Sequence, residues 1–373
     1  MTRSPSATAT AETKPAPAPG NGAINQQRLE EFMHKAVADI AAAFSVPLMI
    51  IGEKLGLYQA MAGAGPLTSA QLAQKTGTTE RYVREWLLNQ ATAGYVTYDP
   101  KAQTYTLPPE QAMALADSDS PVYLHGAYDF IQSAFRDFPK IQNVFKNGGG
   151  VGWGDHDACC FIGTERFFRP GYNGNLLSSW LPALDGVEAK LKAGAKVGDL
   201  GCGHGASTII MAKAFPKSQF IGLDFHKPSI ESARQRAREA GLTKNISFEQ
   251  ASAYDFPQKD FDFICCFDCL HDMGDPAGCA QHVRQALKPD GTWMVVEPFA
   301  NDKIEDNFNP VGRCFSAAST LICVPASLSE NGPALGAQAG EKRLREVIVD
   351  QGGFKRFRRA TETPFNMVLE ARP

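Results

Sequence analysis

Apolar side chains recur at helical spacing from Ile24 to about Ala43, through Leu29, Phe32, Met33, Ala36, Val37 and Ile40, and a second apolar helix is predicted through Ile50, Ile51 and Leu55. Thr68-Ser69 is a cap signal ahead of a helix through Leu72 and Ala73, which Gly77 ends. Thr78-Thr79 then opens a helix through Tyr82, Val83, Trp86 and Leu87, closed by Gly94. Two short extended runs, Tyr95–Tyr98 and Gln103–Leu107, flank Asp99-Pro100 as a hairpin. Helix, turn, helix and hairpin predict a winged helix. From Lys196 the pattern changes to alternating strands and helices: strands at 196–200, 219–224, 246–250, 261–267 and 292–297, helices at 205–215, 227–240 and 275–287. After a helix from Glu341 to Asp350, the runs Phe354–Arg359 and Phe365–Ala371 close the chain. Such alternation predicts an α/β domain with a mostly parallel sheet covered on both faces.

Four regions follow: a tail over 1–22, disordered for want of large apolar side chains; a winged-helix domain over 23–115; an aromatic-rich helical bridge over 116–182; and the α/β domain over 183–373. In the bridge, Gly148-Gly149-Gly150 reads as a flexible hinge. In the last region a long insertion over 298–340, with Pro310, Pro325 and Pro333, reads as a lid.

Charge narrows the partners. The net formal charge is −3, and in the would-be recognition helix Glu80 and Glu85 cancel Arg81 and Arg84, with only Lys101 on the wing. Nucleic acid is therefore not expected as a partner, since phosphate contacts need an uncompensated basic surface. No run reads as the ~18 apolar residues a membrane span needs, and the start lacks an apolar leader, so a cytoplasmic protein without membrane contact is expected. Nine scattered cysteines fit reduced, buried thiols better than a disulfide framework. Cys266, Cys269 and His271 have part of a zinc spacing but no second ligand pair, and no carboxylate trio has metal-ligand spacing, so no metal is expected.

The most informative run is Val197-Gly-Asp-Leu-Gly-Cys-Gly-His-Gly205, a short strand entering a loop with glycine at every second position. About twenty residues on, a second strand ends in Asp224, where nucleotide folds place the carboxylate that accepts both ribose hydroxyls. The glycine spacing is not that of a dinucleotide site, and Asp199 at the loop mouth repels phosphate and suits a cation. A nicotinamide dehydrogenase is thereby disfavoured.

Over roughly 170–373 this pattern resembles the class I S-adenosylmethionine methyltransferases, which implies a Rossmann-like seven-stranded domain and S-adenosyl-L-methionine as cofactor. The resemblance implies that Asp199, Gly201, Cys202, Gly203 and Gly205 face the methionine part, that Asp224 holds the ribose and that Phe225 lies against adenine. It also puts Ser252, Ala253, Phe267 and Asp268 at the cofactor, with Tyr172 and Trp180 over it as lid contacts. Ser252 stands where the family often carries an acid for the adenine amino group. The run Leu270-His271-Asp272-Met273-Gly274-Asp275 is similar to the Leu-His-Asp-Trp-x-Asp stretch of caffeic-acid-type O-methyltransferases, with Met273 in place of the tryptophan. In that family the histidine takes the acceptor's proton and a glutamate orients it, roles that fall here to His271 and Glu297. Their winged-helix domain dimerises, so a homodimer acting on a small hydroxylated, aromatic or apolar acceptor is implied. The same architecture also leaves open a DNA-binding regulator that senses the cofactor, and an enzyme of this fold recruited to other chemistry. His204 is expected to point away from the cofactor, and Asp155 and His156 to be solvated loop residues.

Overall fold

The computed structural model describes residues 24–373, so the tail expected at 1–22 lies outside the described residues. The chain divides into two units, Met1–Ser45 and Val46–Pro373. In place of the two helices predicted at the start, one helix runs from Gln26 to Lys54 with Pro47 inside it. Proline removes one backbone hydrogen bond, yet the apolar periodicity continues past it, and the helix does too.

In the larger unit the winged helix forms as expected. Helices Ser69–Thr76 and Glu80–Thr92 precede strands β1 (Thr97–Asp99) and β2 (Thr104–Thr106), which pair antiparallel. Thr68 and Gln71 form a reciprocal capping box at the first helix. The core holds Leu72, Val83, Trp86 and Leu87, and the indole N–H of Trp86 donates to the Leu48 carbonyl at 2.9 Å.

The bridge consists mainly of helices His125–Asn147 and Ala158–Asn175. They touch through glycines: a Cβ on Gly126 would stand 2.2 Å from the Phe167 nitrogen, and one on Gly163 would stand 2.4 Å from that of Phe130. Gly150 is not the hinge its neighbours suggested, because a Cβ there would meet the Pro325 carbonyl oxygen at 2.2 Å. The Val151 N–H donates to that same carbonyl at 3.0 Å, so the segment is a packed seam.

The sheet has seven strands: β3 (Lys196–Leu200), β4 (Gln219–Asp224), β5 (Ile246–Gln250), β6 (Phe261–Phe267), β7 (Leu287–Pro298), β8 (Arg356–Glu362) and β9 (Asn366–Arg372). Their order is β5-β4-β3-β6-β7-β9-β8, parallel as far as β7, with β9 antiparallel to both neighbours. Alternate residues of β6 serve opposite faces: Ile264 and Cys266 pack with Val283 and Ile348, whereas Phe263 and Cys265 pack with Leu184 and Leu191. The chain runs outward from β3 to β5, then crosses back to β6. Strand order therefore reverses beside β3, and the crevice at the carboxyl ends of β3 and β6 is where such sheets bind ligands.

The insertion is built rather than loose. Helix Pro310–Ala318, a π-turn Ser319–Cys323 and helix Val324–Ser329 follow one another without a break, and Phe315, Ile322, Cys323 and Ala326 are buried. Contrary to the expectation from the sequence, two helices, Gln26–Lys54 and Pro310–Ser329, are long and apolar enough to cross a membrane by length and composition alone. The second is folded into the α/β domain, with its Ser327 hydroxyl donating to the Met273 carbonyl at 2.8 Å.

Candidate active site

The glycine loop is held from below. Gly201 and Cys202 donate their N–H groups to the Leu223 carbonyl at 2.8 and 3.2 Å, tying the loop to β4. Asp224, at the end of β4, accepts from the Gly203 N–H at 2.9 Å through Oδ2 and from the His226 N–H at 2.8 Å through Oδ1. It is 8% exposed, and burial raises its carboxyl pKa despite those two bonds.

Asp199, expected at the methionine part of the cofactor, does not line the cavity above the loop. It is fully buried, and its Oδ2 accepts from Ser207 Oγ at 2.7 Å and Thr208 Oγ1 at 2.6 Å on helix Ala206–Ala214. Burial pushes its carboxyl up to about 6, against the pull of those hydroxyls. Gly205 also sits behind the loop, where its φ of 78° starts that helix and a Cβ would strike the Phe248 ring at 2.7 Å. Both shape the loop from the side away from solvent.

Above the loop lies a cavity of about 420 Å³, within the size range of small-molecule sites. Gly201, Cys202, Gly203, Asp224 and Phe225 form its floor and one side. Ser252, Ala253, Phe267, Asp268 and Tyr172 line it as well, so most of the expected cofactor residues are brought together. Trp180 is not among them. Its ring is buried and stacks on Phe267 with centroids 6.3 Å apart, supporting the wall from behind.

Trp153 and Phe161, two aromatics of the bridge, line the cavity as well; Glu165 from the bridge, Tyr254 from the loop after β5 and Glu330 from the insertion do so without having been read from the sequence. Glu165 bridges Arg169 at 2.9 Å and Arg236 at 2.5 Å; its i,i+4 spacing to Arg169 was the one available signal. His204, expected to turn away, is on the cavity wall. His156, expected in solvent, is buried against Asp137, Nδ1 to Oδ2 3.0 Å.

At the carboxyl end of β6 the turn Leu270–Asp272 meets the end of β7. Glu297 Oε1 accepts from the Leu270 N–H at 2.9 Å, and its Oε2 lies 2.5 Å from His271 Nδ1. Both side chains are buried; Glu297 engages Nδ1, and the Cys323 side chain of the insertion is a second hydrogen-bonding neighbour of the ring, so Nε2 takes a proton only where Cys323 gives way. Burial alone would lower the imidazole pKa, but the Glu297 carboxylate, with Cys323 beside it, outweighs that and the pKa lies well above the ordinary value. His271 is not on the cavity wall; its neighbours Asp268, Cys269, Asp272 and Met273 are. The backbone of Asp268 is in the left-handed region, φ 51°, and its Oδ1 accepts from Asn366 Nδ2 at 2.8 Å. Within the Cys266–Cys269–His271 run, Cys269 Sγ donates to the Leu200 carbonyl at 3.5 Å and His271 turns to Glu297.

Comparison with known proteins places these features. Residues 191–352 match a family described as a methyltransferase domain, and residues 42–117 match an Rv2258c-like winged HTH domain. Residues 191–352 are thus similar to methyltransferase domains, and a winged-helix domain precedes them. A ubiquinone biosynthesis O-methyltransferase of Actinobacillus pleuropneumoniae is 36% identical over 117 residues, 29% of this chain and 48% of that protein. A 27-O-demethylrifamycin SV methyltransferase of Amycolatopsis mediterranei is 29% identical over 150 residues, 38% of this chain and 55% of that protein. The chain spans about half the length of the curated relatives it matches. Human N-acetylserotonin methyltransferase in complex with S-adenosylmethionine superposes with a TM-score of 0.69 at 16% identity, covering 95% of this chain and 99% of that one. An O-methyltransferase family protein from Burkholderia thailandensis gives 0.66 at 15% identity over 94% and 98%. At such identity the likeness is one of fold.

The cavity fits S-adenosylmethionine, the ligand held by the human N-acetylserotonin methyltransferase. Asp224 offers a buried carboxylate whose oxygens each carry a spare lone pair, and Phe225 presents a half-exposed ring beside it. Among the described residues no lysine or arginine lines the wall, so they offer a pyrophosphate no countercharge, whereas a sulfonium needs none.

Proposed function

We propose that this protein transfers the methyl group of S-adenosylmethionine to a hydroxyl of a small aromatic or apolar acceptor. The observation that carries the reading is the buried His271–Glu297 pair at the sheet edge beside the cofactor cavity. The bound cofactor supplies a methyl group on a leaving group that is already charged. The chain's own part is to align the acceptor, exclude water and take a proton. Glu297 holds Nδ1, and Nε2 accepts the hydroxyl proton where Cys323 gives way. The insertion covers this pair: Gly336 donates its N–H to the His271 carbonyl at 3.1 Å, and Ser327 bonds the Met273 carbonyl. An acceptor reaches His271 by displacing that cover, which would then keep water out during transfer. Phenols screened with cofactor labelled on the methyl carbon are expected to acquire the label. Cofactor binding with no labelled product from any hydroxyl acceptor would favour recruitment of this fold to other chemistry.

We read the winged helix as an assembly element. Arg84 pairs with Glu80 at 2.8 Å and Arg81 with Glu85 at 2.5 Å, which leaves the would-be recognition helix without free positive charge for phosphate. Phe32, Val37, Ile40 and Phe44 on the first helix are exposed, a stripe suited to a second copy of the chain across a two-fold axis. Light scattering is expected to give twice the chain mass at micromolar concentration, and the double change Phe32→Glu, Phe44→Glu to halve it. A wild-type monomer under those conditions removes the dimer.

A further inference from the structure

The bridge helix His125–Asn147 has two unlike sides. Gly126, Ser133, Asp137 and Ile141 are buried on one, where the helix meets helix Ala158–Asn175 with no room for a methyl group at Gly126. The other side carries Ile131, Phe135, Phe138 and Phe145, spaced by four and three residues as in a coiled-coil seam, with Gln142 filling the one gap. These phenylalanines are 66%, 57% and 71% exposed, so the stripe faces solvent. On the first helix, Met33, Val37, Ile40 and Phe44 repeat the same four-three-four spacing and are likewise exposed. Seams of equal period interlock, knob into hole, whereas a lipid surface demands no period.

Resting on the dimer reading above, we propose that this stripe seats the first helix of a second copy, antiparallel, and that two such helix pairs, exchanged about the two-fold axis, form the dimer. The first helices then do not pair with each other. In this arrangement Ile40 lies opposite Phe138, with Phe44 opposite Phe135 and Met33 opposite Phe145. The direction follows from charge: antiparallel packing brings Glu30 within reach of Lys146, and neither has an ion-pair partner among the described residues. The size fits as well. Three phenylalanines about two-thirds exposed offer about 400 Å², the first helix offers about as much, and the two reciprocal contacts together bury about 1,600 Å², the size of a standard stable interface. The buried side of the bridge helix braces helix Ala158–Asn175, which brings Glu165 and Tyr172 to the cavity, so the partner supports one wall of the site.

Light scattering over a dilution series of the full chain reads the dissociation of the dimer. Ile40→Glu and Phe138→Lys are each expected to weaken the dimer by at least about tenfold, because each buries an unpaired charge in the contact. A chain carrying both is expected to recover most of that loss, since every new glutamate then faces a new lysine across the contact. Melting curves report whether the variants fold, and should either fail, Phe44→Glu with Phe135→Lys repeats the cycle at the next opposed pair. A folded Phe138→Lys that dimerises like wild type, or a double variant no tighter than the weaker single, overturns the proposal and leaves the dimer reading standing. A wild-type monomer, whether or not it binds phosphatidylcholine vesicles, overturns both.

Discussion

His271→Gln is expected to lower methyl transfer to a hydroxyl acceptor by about 10²–10⁴ at neutral pH while leaving the affinity for S-adenosylmethionine within a few-fold. The split follows from position. His271 is off the cavity wall where the cofactor residues gather, and its Nδ1 is committed to Glu297, so it acts on the acceptor's proton alone. The pH profile separates a base from a structural group. Because Glu297 holds the imidazole pKa well above the ordinary value, the ring is protonated over a wider range, and the wild-type rate should climb with pH through an apparent pKa above about 6.5. That limb is expected to vanish in the variant. The sign for stability is opposite: a raised folded-state pKa stabilises fully below the unfolded value, and the contribution is lost as pH rises through the folded one. Wild-type melting temperature should therefore fall over the pH range in which activity rises. A variant with full activity on a hydroxyl acceptor across that range makes His271 structural.

Asp224→Ala is expected to weaken S-adenosylhomocysteine binding by at least an order of magnitude, from loss of charge-assisted hydrogen bonds at about 1.5–3 kcal/mol. The structure adds a second cause. The same carboxylate accepts the Gly203 and His226 N–H groups, so its removal also releases the loop that shapes the cavity. Asp224→Asn keeps the shape and part of the bonding, and should fall between wild type and alanine. Calorimetric titration showing unchanged affinity in the alanine variant removes Asp224 from the site.

Strands β3 to β7 and the two closing strands were legible because each is a short apolar run bounded by turns, and Asp224 was legible because it ends one of them. What local pattern could not carry was orientation. Asp199 and Asp224 end neighbouring strands, yet one turns beneath the loop to two helix hydroxyls and the other stays at the cavity. Trp180 resembles a lid aromatic in sequence, but the π-turn Leu176–Trp180 sends it under Phe267. Glu330 reaches the site from an insertion 76 residues beyond its partner Tyr254, a contact no spacing rule anticipates. Two helices were predicted where one runs from Gln26 to Lys54, through Pro47.

The backbone contacts at Gly126 and Gly163 leave no room for even one methyl group between the bridge helices, and the second of these helices carries Glu165, Phe168 and Tyr172 into the cavity. That side of the site is therefore a poor substrate for evolutionary tinkering: adjusting it shifts a helix that has nowhere to go. Within residues 310–330 the buried Phe315, Ile322 and Cys323 are framework too, so diversification toward new acceptors should concentrate at Ala326 and Glu330, which line the cavity, and a library confined to those two positions would explore specificity with few losses to misfolding.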